Sequence, residues 1–328
     1  MISVIMSVYN ESAQEISKAI ESIINQYYKD FEFIIILDNP LNIRAIETIE
    51  NYKNMDSRIV FLKNDHNMGL ASSLNRCLEK AKGDFIARMD ADDISLPHRF
   101  SVEVEFLTNN PSIDVVSSNI INIDENDKKI LTKRVICENS KDMNRMLKYD
   151  NIISHPTVLM RKEAILSCDG YRDFKASQDY DLWLRMRKKG FRFSIIKEPL
   201  LLYRIRNNSV SRSDPGQQLA CHMYALYLDK MEDSNSNLFS LEAQNKYSKK
   251  LMLYSTYDRM RYKRALTLYL KGLDSLHSGD IFKASLLILR GLTIHKLFLR
   301  RATEMVLFQL YSYKYMVTSF KCTQPDIN

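Results

Sequence analysis

The chain predicts an α/β fold in which a largely parallel sheet is flanked by helices and followed by a helical appendage. Three observations carry that expectation. Over residues 1–90, short β-branched apolar runs alternate with stretches of helical i, i+3, i+4 spacing. Past residue 216 the strand-like runs stop and helical periodicity continues alone. Polar residues also follow three of the expected strands at the same end: Tyr9-Asn10, Asp38-Asn39 and the acidic run from Asp90 to Asp93. Sites in open parallel sheets lie beyond the carboxyl ends of the strands.

Taken in order, residues 2–8 and 31–37 are dense apolar runs suited to buried strands, and Ile16, Ala19, Ile20, Ile23 and Ile24 put one apolar face on a helix between them. A polar helix-like stretch over 43–52 leads to a third apolar run at 59–62. A helix over 69–82 then passes through Gly83 into a strand at Phe85. Beyond Pro97, a helix over 98–109 stops before Pro111, and Val115-Val116 opens another apolar run. Residues 155–160 read as a further strand, followed by a helix from Lys162 and a turn at Asp169-Gly170. Ser177 is placed to cap a helix over 179–189 closed by Gly190. Apolar runs at 195–196 and 200–205 finish this part. The polar stretch 207–218, containing Asp214-Pro215-Gly216, reads as a boundary, giving domains at 1–215 and 216–328.

A chain of 328 residues is long enough for one large core or two ordinary ones, and 45% hydrophobic with 27% charged residues is the composition of a folded protein. Five scattered cysteines argue against a disulfide framework or structural zinc and for a reducing cytosol. Residues 1–7 lack a basic n-region and a cleavage site, so they read as a strand and not a signal peptide. No run of about 18 apolar residues is present, so no bilayer-spanning helix is expected. The net charge of +7 is uneven: from Cys221 onward sixteen Lys/Arg face nine Asp/Glu, whereas the first 220 residues carry thirty-one of each sign. The excess belongs to the appendage. It lacks RNA-binding, zinc or helix-turn-helix signatures, so no nucleic-acid partner is expected.

Two acidic clusters carry the chemistry. Asp90-Ala91-Asp92-Asp93 closes the apolar run 85–89, and carboxylates at alternate positions crowd like charge at one strand end. An oxygen-preferring divalent ion, Mg2+ or Mn2+, would relieve that crowding and hold the phosphates of a nucleotide. The second cluster, Gln178-Asp179-Tyr180-Asp181, supplies a separate carboxylate suited to act as a base. This division of labour points to metal-assisted group transfer. Blander roles stand beside each assignment. Asp90 to Asp93 also suit a solvated turn, Asp38 a turn residue, and Asp179 and Asp181 first-turn acids favoured by a helix dipole. His155 divides between an acceptor-site role and a satisfied structural histidine. Asp181, Trp183, Cys77 and Cys168 read as structural.

In their order and spacing, Ser7-Val8-Tyr9-Asn10-Glu11, Leu37-Asp38-Asn39-Pro40, Asn67-Met68-Gly69, Ala87-Arg88-Met89-Asp90-Ala91-Asp92-Asp93, Leu96-Pro97-His98-Arg99, His155-Pro156-Thr157, Gly170-Tyr171 and Asp179-Tyr180-Asp181-Leu182-Trp183 resemble the family 2 glycosyltransferases. These GT-A type enzymes build capsule, exopolysaccharide and O-antigen chains, and the amylovoran- and capsule-type members share the Leu37 to Pro40 version of the second strand end. The resemblance covers roughly residues 1–210. It implies a GT-A fold and an inverting transfer from a nucleotide-sugar donor, a UDP-sugar by preference. The acceptor would be a glycan or polyprenyl-diphosphate-linked oligosaccharide. Asp90 and Asp92 match the DxD pair that holds the metal, Asp179 matches the catalytic base, and Tyr9 and Asp38 match positions that hold the nucleotide base. Ser7, Glu11, Asn67, Asp90 and Arg206 are expected to complete the donor site. Three departures stand out: Gln178 replaces a usual Glu, Arg206 replaces a metal- or diphosphate-binding His, and the arginine often found near Leu74 is absent. A nucleotidyltransferase or phosphatase with the same acidic sheet, and a catalytically impaired scaffold, are the alternatives.

In the appendage, Ile281-Phe282, Leu286 to Leu289, Leu292 and Leu297 to Leu299 alternate with Lys283, Arg290, Lys296, Arg300 and Arg301, a pattern of amphipathic helices. One reading lays them on the anionic inner leaflet, each basic side chain adding about 1 kcal/mol. The other packs them on the catalytic domain or on the second subunit of a homodimer. The expected location is cytoplasmic, with a peripheral place on the inner membrane face under the first reading.

Overall fold

The computed structural model describes residues 1–130, 132–135, 140–206, 214–232, 237–277, 280–295 and 316–320. Two compact units divide them: one from residues 1–173, 182–206 and 314–328, the other from 174–181 and 207–313.

In the first unit the chain runs β1 (Ile2–Val8), α1 (Ala13–Ile24), β2 (Phe31–Leu37), α2 (Ile43–Met55), β3 (Ile59–Lys63), α3 (Leu70–Lys80), β4 (Phe85–Asp90), β5 (Ile94–Ser95), α4 (Arg99–Asn109) and β6 (Val115–Ile123). It continues through β7 (Thr132–Val135), α5 (Ser140–Met146), β8 (Leu159–Arg161), α6 (Lys162–Leu166), α7 (Gln178–Lys188, whose first turn belongs to the second unit) and β9 (Phe193–Arg204). Eight of these strands form one mixed sheet in the order β3-β2-β1-β4-β8-β6-β9-β5. The β3-β2-β1-β4 half is wholly parallel, β8 runs antiparallel to both β4 and β6, and β6 and β9 are parallel again. The remaining strand, β7, pairs with β10 (Met316–Phe320).

Burial explains the apolar runs. Six of the seven residues of β1 and of β2 are buried, because helices cover both faces of the parallel half. The α1 stripe of Ile16, Ala19, Ile20 and Ile23 enters the same core as Phe33, Ile35, Met89 and Phe100. Its first turn is fixed by a capping box: Ser12 Oγ accepts from Glu15 N, while Glu15 Oε2 accepts from Ser12 N at 2.9 Å. At the far end, buried Gln26 bonds to Ser22 O, Ser95 Oγ and Leu96 O and accepts from Phe100 N, tying α1 to the β5–α4 junction. Gly83 turns the chain into β4 against the backbone of β1. A Cβ there would sit 2.6 Å from Ser3 N and 2.8 Å from both Ile2 C and Met1 O.

Three local expectations need correction. Residues 155–157 form a 3-10 turn, and the strand is confined to Leu159–Arg161, because Pro156 has no N–H for a ladder. The two apolar runs 195–196 and 200–205 are parts of one strand, β9, whose register on β6 shifts around Asn119 and Pro199. The two-residue β5 carries no periodicity and is defined only by pairing with Leu201 and Leu202.

The second unit holds α8 (Pro215–Met231), α9 (Leu241–Lys250), α10 (Thr256–His277) and α11 (Ile281–Ile294), with a core of Leu219, Ala220, Met223, Leu253, Tyr262 and Ala265. Helices α10 and α11 approach closely at Gly291, where a Cβ would lie 2.9 Å from Ala265 O. Among the described residues, no helix is long and apolar enough to cross a membrane. The expected amphipathic stretch beyond residue 295 lies outside the described residues.

Candidate active site

Strands β2, β1 and β4 are adjacent and parallel, and their register pairs Val8 with Leu37 and Ser7 with Asp90. The segments that follow them therefore share one rim of the sheet. Along it, Asn39 Nδ2 donates to Asn10 Oδ1 at 2.7 Å, and Asn42 Nδ2 to Tyr9 O at 3.2 Å. Tyr9 leaves its ring 42% exposed. Its N–H donates to Glu11 Oε2 at 2.7 Å and so turns Glu11 back towards the strand end.

Asp38 is 3% exposed and bonded inward. Its Oδ1 accepts from Asn64 Nδ2 at 2.6 Å and from Met68 N at 2.7 Å, and its Oδ2 from Gly69 N at 2.9 Å. Asn64 also donates to Ser73 Oγ on α3. The carboxylate thus pins residues 64–69 beside the rim and leaves Asn67 exposed, its Oδ1 receiving a second bond from Gly69 N. Gly69 has φ +85°, which lets the chain turn into α3 at that point.

The acidic turn after β4 is held from several sides. Arg204, 4% exposed at the end of β9, donates from Nε to Asp92 O, from Nη1 to Asp124 O and from Nη2 to Asp127 Oδ1, while its backbone N–H goes to Asp93 Oδ1. Buried Arg99 braces the preceding strand, with Nη2 on Arg88 O and Nε on Glu103. Arg88 is itself buried, and its Nη2 donates to Asp90 Oδ1. Arg206 closes the group: its Nε lies 3.1 Å from Asp92 Oδ2 and its Nη2 2.7 Å from Glu15 Oε1. Beside it a polar hollow of about 350 Å³ opens between Ser12, Glu15, Lys18, Asp127 and Arg204.

Burial and like charge together shift the carboxyls of this turn. Burial, reinforced by Asp90 and Glu11 against the pull of Arg206, pushes the Asp92 carboxyl up to about 7. Asp93 lies well above the usual carboxylate range, through burial and then its neighbours Asp90 and Asp92. Glu11 is raised by burial despite the N–H groups that face it. Burial also acts on Glu15, but its bonds from Ser12 and the charge of Arg206 outweigh it and lower the carboxyl. Among the described residues, no group of three or more His, Cys, Asp or Glu side chains is arranged to hold a metal by itself.

The structure therefore gathers Ser7, Tyr9, Glu11, Asp38, Asp90, Asp92 and Arg206 on one rim, with Asn67 on the segment Asp38 secures. Asp179 is half-buried in the first turn of α7, which belongs to the second unit. Ser177 just before it has φ +60°, and its Oγ accepts from Gln218 Nε2 at 2.9 Å. His155 is buried against Tyr171 and Trp183, with its Nε2 2.9 Å from Tyr171 Oη. That is the structural alternative. Sequence reasoning missed the roles of Arg88, Arg204 and Glu15. Only Glu15 had a readable local signal, the S-x-x-E spacing from Ser12.

Residues 3–167, half of the chain, match the model of the family described as Glycosyl transferase family 2. The chain is a family 2 glycosyltransferase. An uncharacterized glycosyltransferase of Methanocaldococcus jannaschii, MJ1057, is 35% identical over 78% of this chain and 86% of its own. The O-antigen biosynthesis glycosyltransferase WbnJ of Escherichia coli is 35% identical over 65% of this chain and 83% of its own. The structure of S. aureus TarS residues 1–349 with UDP-GlcNAc superposes with a TM-score of 0.60 at 16% identity, over 99% of this chain and 98% of that one, a likeness in fold. The transferase thus has the GT-A architecture, and its activity is sugar transfer in glycan biosynthesis.

Proposed function

We propose that the transferase moves a sugar from a UDP-sugar to a hydroxyl of a growing surface glycan carried on a lipid, with inversion at the anomeric carbon. The observation that carries this reading is the gathering of Glu11, Asp90 and Asp92 at the sheet rim, with the Asp92 carboxyl pushed up to about 7 by burial and then by Asp90. Such a donor set fits Mg2+ or Mn2+. Asp90 and Asp92 would hold it, with phosphate oxygens of the donor and water completing its shell. A cation bound there supplies Lewis-acid charge for the departing diphosphate.

The remaining chemistry belongs to the chain. The exposed ring of Tyr9 offers a face to the uracil, and Asp38 keeps residues 64–69 in place as the adjoining wall. Asp38 thus serves base binding chiefly by positioning, since its oxygens already accept three bonds. Arg206 and the Ser7–Glu11 strand end serve the diphosphate and sugar side. Asp179 takes the proton of the acceptor hydroxyl as its oxygen bonds to the anomeric carbon and the bond from that carbon to the diphosphate oxygen breaks. The place of WbnJ in O-antigen biosynthesis supports a surface-glycan acceptor, and the UDP-GlcNAc complex of TarS supports the donor nucleotide. A cationic, apolar appendage suits an acceptor presented at an anionic membrane surface. Co-sedimentation with anionic vesicles at low and high salt tests that part, and indifference to lipid charge would reject it.

Calorimetric titration of UDP and GDP, each with and without Mn2+, tests the donor assignment. Mn2+-dependent UDP binding that Asp92→Asn abolishes is the expected result, and UDP binding indifferent to both would reject it. Asp179→Asn is expected to lower turnover by about 10²- to 10⁴-fold while donor affinity is kept; near-wild-type turnover would remove Asp179 as the base.

A further inference from the structure

The two aspartates of the acidic pair each have an arginine, and the two arginines are held differently. Arg88 lies within β4, is 1% exposed and donates a hydrogen bond to Asp90. Arg206 stands beyond the end of β9 with its side chain 23% exposed, between Asp92 Oδ2 at 3.1 Å and Glu15 Oε1 at 2.7 Å. Although both distances are short, Nε and Nη2 of Arg206 are closed off from solvent and neither makes a directed hydrogen bond. A charged donor buried off-line from its acceptor forgoes much of the bond's value. Glu15, by contrast, is fully engaged: its Oε2 accepts from both Ser12 N and Ser12 Oγ, at 2.9 and 2.7 Å. Glu15 is thus a fixed post, and Arg206 is a guanidinium seated by charge alone, with two unused N–H directions.

We propose that Arg206 is the internal counter-ion of Asp92 whenever no divalent ion is bound, and that an arriving cation displaces it from Asp92 towards the donor diphosphate. This rests on the cation reading given above. The chemistry favours the exchange. A divalent ion and a guanidinium compete for the same Asp92 oxygen, whereas a diphosphate has oxygens for both. Arginine's planar fork is matched to phosphate better than to one oxygen from each of two separate carboxylates. Arg206 therefore suppresses cation binding in the absence of nucleotide and strengthens it in the presence of nucleotide. Cation and nucleotide then bind cooperatively, because the arginine that one expels the other receives.

The test is Mn2+ binding, followed by electron paramagnetic resonance and calorimetry on the full chain, with and without saturating UDP. Arg206→Gln is compared with wild type, and Lys18→Gln, which removes a cation one turn further along α1, controls for the general field. Arg206→Gln is expected to bind Mn2+ alone about ten-fold more tightly than wild type and to lose about ten-fold of the gain that UDP confers, within the usual coupling range. Lys18→Gln is expected to change neither by more than about three-fold, because the Lys18 charge is already matched by Asp127. Arg206→Lys keeps the charge without the fork and serves if the glutamine variant fails to fold; it is expected to lose the UDP gain too. An Arg206→Gln protein that binds Mn2+ no more tightly than wild type, where wild type binds it with UDP, would overturn the exchange and leave the cation reading standing. Failure of both proteins to bind Mn2+ at any UDP concentration would overturn the cation reading and this inference with it.

Discussion

Asp38→Asn is a small change in volume with a calculable cost. In the wild-type chain Asp38 Oδ1 accepts two bonds, from Asn64 Nδ2 and Met68 N, and Oδ2 accepts one from Gly69 N. Asparagine keeps one carbonyl oxygen. Placed at Oδ1 it preserves the first two bonds, but its amide then points N–H at the N–H of Gly69. Gly69 N retains its bond to Asn67 Oδ1 at 3.0 Å, so it is weakened and not orphaned. The loss is one charge-assisted bond plus a donor–donor contact, about 2 kcal/mol, since bonds to charged groups contribute about 1.5–3 kcal/mol. The single tryptophan, Trp183, is fully buried in the same unit as Asp38 and reports unfolding by fluorescence. For a urea m-value of about 2 kcal/mol/M, the midpoint falls by about 1 M. UDP affinity is expected to fall as well, because residues 64–69 lose their anchor. A midpoint within experimental error of wild type would refute the reasoning, since it would mean the charge-assisted bond from Gly69 N holds nothing.

Gly83→Ala is expected to destabilise by about 3 kcal/mol or more, because its Cβ would meet backbone atoms of Met1, Ile2 and Ser3 that no rotamer can move; thermal melting checks it. His155 is held well below its ordinary pKa, by burial and then by the charge of Arg88, so the folded chain keeps it neutral where the unfolded chain protonates it. Its contribution is complete above the unfolded pKa of about 6.5 and is lost as pH falls, at about 1.4 kcal/mol per pH unit. In urea titrations between pH 6.5 and 5, His155→Gln is expected to remove that slope, whatever it does to stability at neutral pH. Burial pushes the Cys77 thiol up to about 12, so alkylation at pH 8 read by peptide mass spectrometry is expected to leave Cys77 unlabelled until denaturant is added.

Much of the parallel half was legible because its strands are buried on both faces and its helices carry their apolar stripe on one. Sequence periodicity encodes that directly in Ile2 to Val8 and in Ile16 to Ile23. The convergence of strand ends was legible for the same reason, since adjacent parallel strands must finish on one rim. The β8–β6–β9 half was less so. Pro156 interrupts what reads as one apolar run, and Pro199 splits into two what is one strand, so local composition misleads where tertiary pairing decides. The arginine framework under the acidic turn was invisible, because a buried Arg204 or Arg88 looks like any surface arginine until its partners are known. Gln26 illustrates the same limit, with three hydrogen bonds to a segment separated from it by about 70 residues.

The twelve-residue β9 has β6 along one side, whereas along the other it pairs with the two-residue β5 and accepts at Leu200 O from Leu96 N. A long strand so briefly paired on one side invites another chain to add a strand and aggregate. The register shift beside Pro199 twists the strand, and exposed Lys197 and Glu198 place opposite charges on it. The kink that hid β9 from a reader of the sequence thus also hides it from stray polypeptide, and replacing Pro199 with a β-branched residue would straighten the ribbon at the expense of solubility.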